Sequence, residues 1–419
     1  MYLSLHFRGN TLPLSRSIVR TSLALIAISF FLWGLLRSLD DVMVSLFQDV
    51  GTLNYATAMR IHASFFSAYF VGSIPAGMLL RKFGYRALMT ASVTVMLAGV
   101  LLCLPAIWLV SFSLFLAGIF GIALGIATLQ TTANPCISLL GPAETAASRL
   151  LLVQSFIPIG SVISPLAGYL LFGRWNRTLL RAPLLFPRPV LLSFYASVAI
   201  MLLIVACLLH RHFAENGTFT QEPHTAPQWN EILTRPMLYG IVSVFFFVGA
   251  EATVLGHSIP YLSIASVRGF LPATAATLLS AYWMFVIAGR LGAARMLRTF
   301  ETRMVLQIAC FSAVLLTLAA IAFSAPMGGF CLLALGLCNA AVFPCLFTLS
   351  VDRLALHELP YASAILSTAI CGGGVIPLLC GLIADHAGVR VALALPCCIY
   401  GCIGSLAFWC YPSDGHPTG

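Results

Sequence analysis

The sequence predicts an all-α membrane protein with twelve transmembrane helices arranged as two pseudo-symmetric six-helix bundles. Three observations carry this prediction. Hydrophobic types make up 60% of the 419 residues and charged types only 8%, against roughly 45–50% and 25% in soluble domains. Twelve apolar stretches approach or exceed the ~20 residues that cross a bilayer. Short echoes also recur at nearly half the chain length. Ala68-Tyr69 and Ala76-Gly77 return as Ala281-Tyr282 and Ala288-Gly289, and Pro135-Cys136 returns as Pro344-Cys345.

Span 1, over 21–47, follows Arg8, Arg16 and Arg20. It is too long, and too interrupted by polar residues, for a cleaved signal peptide, so it reads as a retained helix. Span 2 (58–80) stops at Arg81-Lys82, and Gly84 offers a tight turn into span 3 (87–105). Span 4 (109–139) ends at Leu140-Gly141-Pro142, and Pro135 inside it predicts a kink. Spans 5 (148–172) and 6 (190–210) complete the first bundle, residues 1–210. The linker, 211–236, is the longest polar stretch and holds Glu215, Glu222, Glu231, Pro223 and Pro227. The second bundle, 237–419, holds spans 7 (237–262), 8 (273–297), 9 (304–324), 10 (327–351), 11 (360–384) and 12 (391–411). Gly372-Gly373-Gly374 and Pro377 weaken span 11, which a membrane helix tolerates beside a cavity or at a close helix contact. Two repeats with broken helices predict a solute site at mid-membrane depth.

The net charge of +9 reads as membrane orientation, because its Arg residues are scattered among short loops; nucleic acid is not an expected partner. With the N-terminus inside, 14 of the 22 Lys and Arg face the cytoplasm and 7 the other side, with Arg37 inside span 1. This bias places both termini in the cytoplasm, although Arg174, Arg177, Arg181 and Arg188 run against it. Lys82 is the only lysine and follows Arg81, which excludes a Walker A loop. His357-Glu358 lacks a second His at metalloprotease spacing, and no GxSxG elbow occurs. The thirteen Cys lie in apolar runs without CxxC spacing and read as small buried hydrophobes. No enzyme, metal or cofactor is expected.

The polar residues inside the spans carry the functional signal. Asp41 near the outer third of span 1 is a candidate proton carrier, since an intramembrane acid costs about 2.5–3.5 kcal/mol on insertion scales; the plainer alternative is a helix-end acid that reaches water. Asp40 points about 100° away and is the more solvated of the two. Arg37 stands one turn before Asp41, on the same face. It either pairs with Asp41 or binds an anionic group of a substrate. Gln130 and Asn134, four apart on span 4, offer donors and acceptors to hydroxyls, or else hold helices together. Glu251 lies in span 7 beside Phe245-Phe246-Phe247, where burial disfavours its charged form and makes it a second coupling candidate. His257 and Tyr261 share one face of span 7, and Tyr282 and Trp283 on span 8 either line a cavity or pack. Arg290 near the end of span 8 reads as a snorkelling or loop-stapling residue.

Gly77-Met-Leu-Leu-Arg81-Lys82-Phe-Gly84-Tyr-Arg86 resembles the loop signature of the major facilitator superfamily, with Arg81 where an Asp often stands. Phe30-Phe31-Leu32-Trp33-Gly34 through Asp41, Thr132-Ala133-Asn134-Pro135, Gly249-Ala250-Glu251, Phe343-Pro344 and Ile383-Ala384-Asp385-His386 resemble the fucose–galactose–glucose:proton symporter family. The resemblance runs from about residue 25 to 405. It implies the major facilitator fold in a bacterial inner membrane and proton-coupled sugar uptake by alternating access. It also implies that Asp41 is the proton carrier and that Gln154 contacts the sugar. Gln130 stands where the family has a second key acid, Ile157 where it has an Asn, and Arg37 where it has a small or amide residue. The expected partners are a small polar solute, protons and lipid, and the expected state is a monomer. The expected solute site comprises Arg37, Gln130, Asn134, Gln154, His257 and Tyr282, with Asp41 and Glu251 coupling protons. The alternative is a carrier or exporter of an organic anion held by Arg37.

Overall fold

The structure is a computed structural model. It describes the backbone of residues 3–4, 13–14, 16–49, 55–163, 188–215, 229–264, 272–323, 327–352, 354–355 and 357–411. Side chains are described over a narrower set that leaves out, among others, 38–59 and 257–279. Apart from a two-residue antiparallel ladder between β1 (Leu3–Ser4) and β2 (Pro13–Leu14), the regular elements are helical, as the composition predicts.

The helices are α1 (Arg16–Asp49), α2 (Tyr55–Leu109), α3 (Phe112–Leu139), α4 (Ala146–Gln154), α5 (Arg188–Glu215), α6 (Trp229–Ile232), α7 (Arg235–Ile264), α8 (Pro272–Met296), α9 (Thr302–Ala322), α10 (Met327–Val351), α11 (Leu359–Thr368), α12 (Gly372–Ala387), α13 (Val389–Ala392) and α14 (Ala394–Cys410). Among the described residues, ten helical stretches are long and apolar enough to cross a membrane. Ten such stretches in one chain describe a multi-pass membrane protein.

Three local features follow from sequence. α2 is 55 residues long and changes direction at Gly84, whose φ of 75° and ψ of 174° are non-helical. At about 1.5 Å per residue, α2 is far longer than a bilayer core of about 30 Å. The expected span 5 is interrupted: α4 ends in a turn at Ser155, and helical backbone resumes over 156–163. The expected span 11 is likewise two helices, α11 and α12, joined by a 3-10 turn over Ala369–Cys371 immediately before Gly372.

The chain forms two compact units. Unit 1 comprises Met1–Pro142, Phe156–Thr225 and Ser363–Thr368, and unit 2 comprises Ala143–Ser155, Ala226–Ala362 and Ala369–Gly419. In unit 1, α2 packs on α3 and α5, and α1 lies against α2, α3 and α5. In unit 2, α10 packs on α7, α8 and α9, α12 on α7, and α14 on α7 and α9. Short α4 belongs to unit 2, where it lies on α8 and α10 and Ser148 Oγ donates to Ala294 O at 3.3 Å. Ser363 correspondingly donates to Thr131 O at 2.8 Å inside unit 1.

Both units use glycine for backbone-to-backbone approach. A Cβ at Gly160 would collide with the carbonyl oxygen of Phe31, and one at Gly372 with that of Phe245. Such contacts, which no larger residue permits, replace side-chain interdigitation where water gives helices no hydrophobic reason to associate.

Candidate functional site

Each unit builds a buried polar cluster on helices that are otherwise apolar. In unit 1, α2 supplies Tyr69 and α3 supplies Gln130, and both are buried. Tyr69 Oη donates to Gln130 Oε1 at 3.2 Å. Asn134, four residues along α3, is also fully buried. Arg37 on α1 is half-buried, with its guanidinium carbon 4.5 Å from the centre of the Phe65 ring and 5.8 Å from that of Phe66. Arg37 and Tyr69 interact electrostatically.

In unit 2, α8 supplies Tyr282 and α10 supplies Asn339, both buried. Asn339 Nδ2 donates to Tyr282 Oη at 2.9 Å, and Tyr282 Oη donates to Glu251 Oε1 on α7 at 3.1 Å. The phenol therefore links an amide to a half-buried carboxyl. Tyr400 on α14 and Arg290 on α8 both interact electrostatically with Glu251.

The two clusters are equivalent by sequence offset. Tyr69 and Tyr282 are 213 apart, while Gln130 and Asn339 are 209 apart, the same offset as Pro135 and Pro344. The Phe31–Gly160 and Phe245–Gly372 approaches align α1 with α7 at an offset of 214. That offset sets Arg37 opposite Glu251 in the repeat. A Tyr–amide pair is thus present twice, with a cation beside one copy and an anion beside the other.

The expected site residues divide accordingly. Gln130 and Tyr282 sit in these clusters, Arg37 and Glu251 beside their tyrosines, and Asn134 next to Gln130 on α3. Gln154 is buried at the end of α4, within unit 2. Asp41 lies in α1 and His257 in α7, and their side chains are outside the described residues, as are those of Asp40 and Tyr261. The ion pair expected of Arg37 therefore has no described counterpart, and its described contacts are the two phenyl rings. Asn339, Tyr69 and Tyr400 were not singled out as site residues from sequence. Asn339 was detectable, because the offset that maps Pro135 on Pro344 also maps Gln130 on it.

Arg290 on α8 is half-buried, with its Nε and Nη1 enclosed and without a hydrogen-bond partner. Away from the polar clusters, the ligand atoms of Glu231, His357 and Glu358 lie within 4.8 Å of one another. Glu358 Oε2 serves the local turn there, accepting from Ala355 N at 2.7 Å.

The Major Facilitator Superfamily model matches residues 18–376. This chain belongs to that superfamily. A glucose/galactose transporter of Brucella abortus biovar 1 (strain 9-941) is 31% identical to this facilitator over 392 residues, covering 92% of this chain and 93% of that protein. The L-fucose-proton symporter of Escherichia coli (strain K12) is 28% identical over 390 residues, covering 87% of each. Among solved structures, the facilitator FucP in the outward conformation aligns with a TM-score of 0.78 at 24% identity, over 94% of this chain and 100% of that one. That likeness establishes the all-helical facilitator fold. The relatives are transporters, in keeping with a chain that carries its polar groups inside membrane helices.

Proposed function

We propose that this facilitator is a proton-coupled secondary active transporter that takes up a sugar or sugar-like polar solute by alternating access. The observation that carries the reading is the 31% identity to a glucose/galactose transporter over nearly the whole of both chains. The buried amides support it. Gln130 and Asn339 are each bonded to a tyrosine, and amide and phenol groups inside apolar helices suit the hydroxyls of a neutral solute. An organic anion gains no comparable support, because the described contacts of Arg37 are aromatic.

In this reading α2 crosses the membrane twice and α8 once. Counting the remaining spans then gives twelve crossings in two six-helix bundles, joined by the 211–236 linker. Both termini lie in the cytoplasm of a bacterial cell whose inner membrane holds the protein as a monomer. Asp41 carries the proton, and Glu251 is the second acid. Gln130, Asn134, Gln154, Arg37, Tyr282 and His257 serve the solute.

The test is uptake by proteoliposomes of the purified chain. D-glucose, D-galactose and L-fucose are compared with small carboxylates, with and without an imposed inward proton gradient. Gradient-driven accumulation of a neutral sugar is the expected result. Accumulation of carboxylates alone, or of sugar without dependence on the proton gradient, would overturn the solute class or the coupling ion respectively.

A further inference from the structure

His357-Glu358 lacks a second His at metalloprotease spacing, but the fold brings it a third donor from elsewhere. Glu231 on α6 stands 126 residues before His357, at the end of the linker, and meets the connection between α10 and α11. One donor atom each from Glu231, His357 and Glu358 lie within 4.8 Å of one another, and all three residues belong to unit 2. Donors about 2.0–2.2 Å from a single ion are at most about 4.4 Å apart in any geometry, so small side-chain movements let these three close on one. Glu358 is only 4% exposed, and a buried carboxylate is costly unless a cation or several donors match it. Among the described residues its carboxylate has one bond, from the neutral amide of Ala355 to Oε2 at 2.7 Å. A carboxylate offers about four lone-pair sites, so most of this capacity is unused. The backbone holds the group in place. Glu358 N donates to Ala355 O, and Glu358 O accepts from Tyr361 N and Ala362 N, each at 3.0 Å, where α11 begins. His357 is half-buried and Glu231 exposed, so the cluster opens to water on the α6 side.

We propose that Glu231, His357 and Glu358 form a binding site for a divalent transition-metal ion, best matched by Zn2+, which ties the end of the linker to the turn before α11. The donor set selects the ion. Mg2+ and Ca2+ take six or more oxygen ligands and have little use for an imidazole. Soft ions such as Cu(I) select thiolates and thioethers, and none is in the set. Zn2+ accepts imidazole and carboxylate together, and three protein donors with water in the fourth position complete its tetrahedron. The charge also balances, since two carboxylates neutralise one divalent cation. Glu358 gains the cation that its buried carboxylate lacks among the described residues. Glu231 closes the site from the side that faces water. The ion joins the segment that leads into α7 to the one that leads into α11, two helices of the same unit. The inference concerns binding of the ion and does not rest on the transport reading.

The test uses the purified full chain in detergent, freed of any affinity tag and stripped with a chelator. Its exposed Cys207, Cys398 and Cys402 are alkylated so that thiolates do not compete. Calorimetric titrations with ZnCl2, MgCl2 and CaCl2 compare the parent with Glu231→Gln, Glu231→His, His357→Gln and Glu358→Gln. The parent is expected to bind one equivalent of Zn2+ and to prefer it strongly over Mg2+ and Ca2+. Loss of even an outer partner of a metal site weakens binding by about 10–100-fold, so each Gln variant should lose at least about that much. Glu231→His keeps a donor and should retain binding. Zn2+ should also raise the melting temperature of the parent by several degrees, because an ion bound only to the folded state stabilises it, and should leave that of Glu231→Gln unmoved. Co2+ in place of Zn2+ should give d–d absorption without a thiolate charge-transfer band. No saturable Zn2+ binding by the parent, or equal binding of Mg2+ and Ca2+, would overturn the site. So would parent-like affinity in Glu231→Gln, or a thiolate band with Co2+, which would assign the ion to cysteine. If His357→Gln or Glu358→Gln does not fold, the exposed Glu231 still decides, since its two variants alter only a surface side chain.

Discussion

The two units perform the same construction with opposite charge. In unit 1, Tyr69 bonds Gln130 while Arg37 lies nearby over Phe65. In unit 2, Tyr282 bonds Asn339 and reaches Glu251. An amide and a phenol are present in both units, and the ionisable residue beside them differs. A neutral hydrogen-bonding pair is a generic tool for a polar solute and tolerates duplication. A charged group inside a membrane is costly and is retained for a specific task. The difference therefore separates what the repeats share, a buried tyrosine–amide bond, from what distinguishes them, the sign of the charge beside it.

The sharpest way to break this comparison is to remove the acid that unit 1 does contribute. Asp41→Asn is expected to abolish gradient-driven accumulation, lowering it by tenfold or more, while sugar exchange across the membrane persists. The check is accumulation and counterflow of D-galactose in the same vesicles. Parent-like accumulation would transfer the coupling role entirely to unit 2.

The next effect should be equal in the two units. Gly160→Ala and Gly372→Ala each place a methyl group against a backbone carbonyl, of Phe31 or Phe245. Backbone cannot yield as a side-chain tip does, so each should lose roughly 1–3 kcal/mol through overpacking. Thermal melts of the two variants should fall by similar amounts. A large loss at one position and none at the other would show that the two approaches are not equivalent, and with them the alignment of Arg37 with Glu251.

These glycines also show where the sequence was readable. Apolar runs and flanking Arg located the helices, since length and charge are properties of one segment at a time. The turn at Gly84 and the weak point before Gly372 were readable for the same reason. The Gly160 and Gly372 contacts were not, because they depend on which two helices meet. Asn339 carries no identical echo in the sequence, because Gln130 and Asn339 share an amide but not a residue type.

A smaller asymmetry is expected from the tyrosines. Tyr282→Phe removes one bond to Glu251 and one from Asn339, and leaves a half-buried carboxyl and a buried amide with less to bind. Tyr69→Phe removes one bond, to Gln130. Stranded buried partners cost about 1–3 kcal/mol, so Tyr282→Phe should destabilise more than Tyr69→Phe. Melting temperatures of the two variants at one pH decide this, and the reverse order would mean that the unit 2 network is weaker than its geometry suggests. Cysteine substituted for Gln130 in a Cys-free background should also be shielded from a small thiol reagent by D-galactose, whereas a position used only for packing would ignore the sugar.

The smallest expected effect concerns Arg37, because aromatic rings are weak substitutes for a counter-ion. A guanidinium over a ring contributes about 0.5–1 kcal/mol where water is near and about 2 when desolvated, and Arg37 is only half-buried. Arg37→Gln should therefore cost about 0.5–1 kcal/mol of stability. Phe65→Leu should lose a similar amount beyond its packing change. The two losses should overlap in the double variant, since either change alone removes the same contact. Asp41→Asn supplies the contrasting arm. If the rings are the main support of Arg37, Asp41→Asn leaves the melting temperature close to that of the parent. If Asp41 is instead its counter-ion, Asp41→Asn strands a charge in the membrane and lowers the melting temperature by several degrees, and Arg37→Gln in that background restores it. The rings at 4.5 and 5.8 Å are the contacts of Arg37 among the described residues, and restoration of the melting temperature by Arg37→Gln in the Asp41→Asn background would add Asp41 to them.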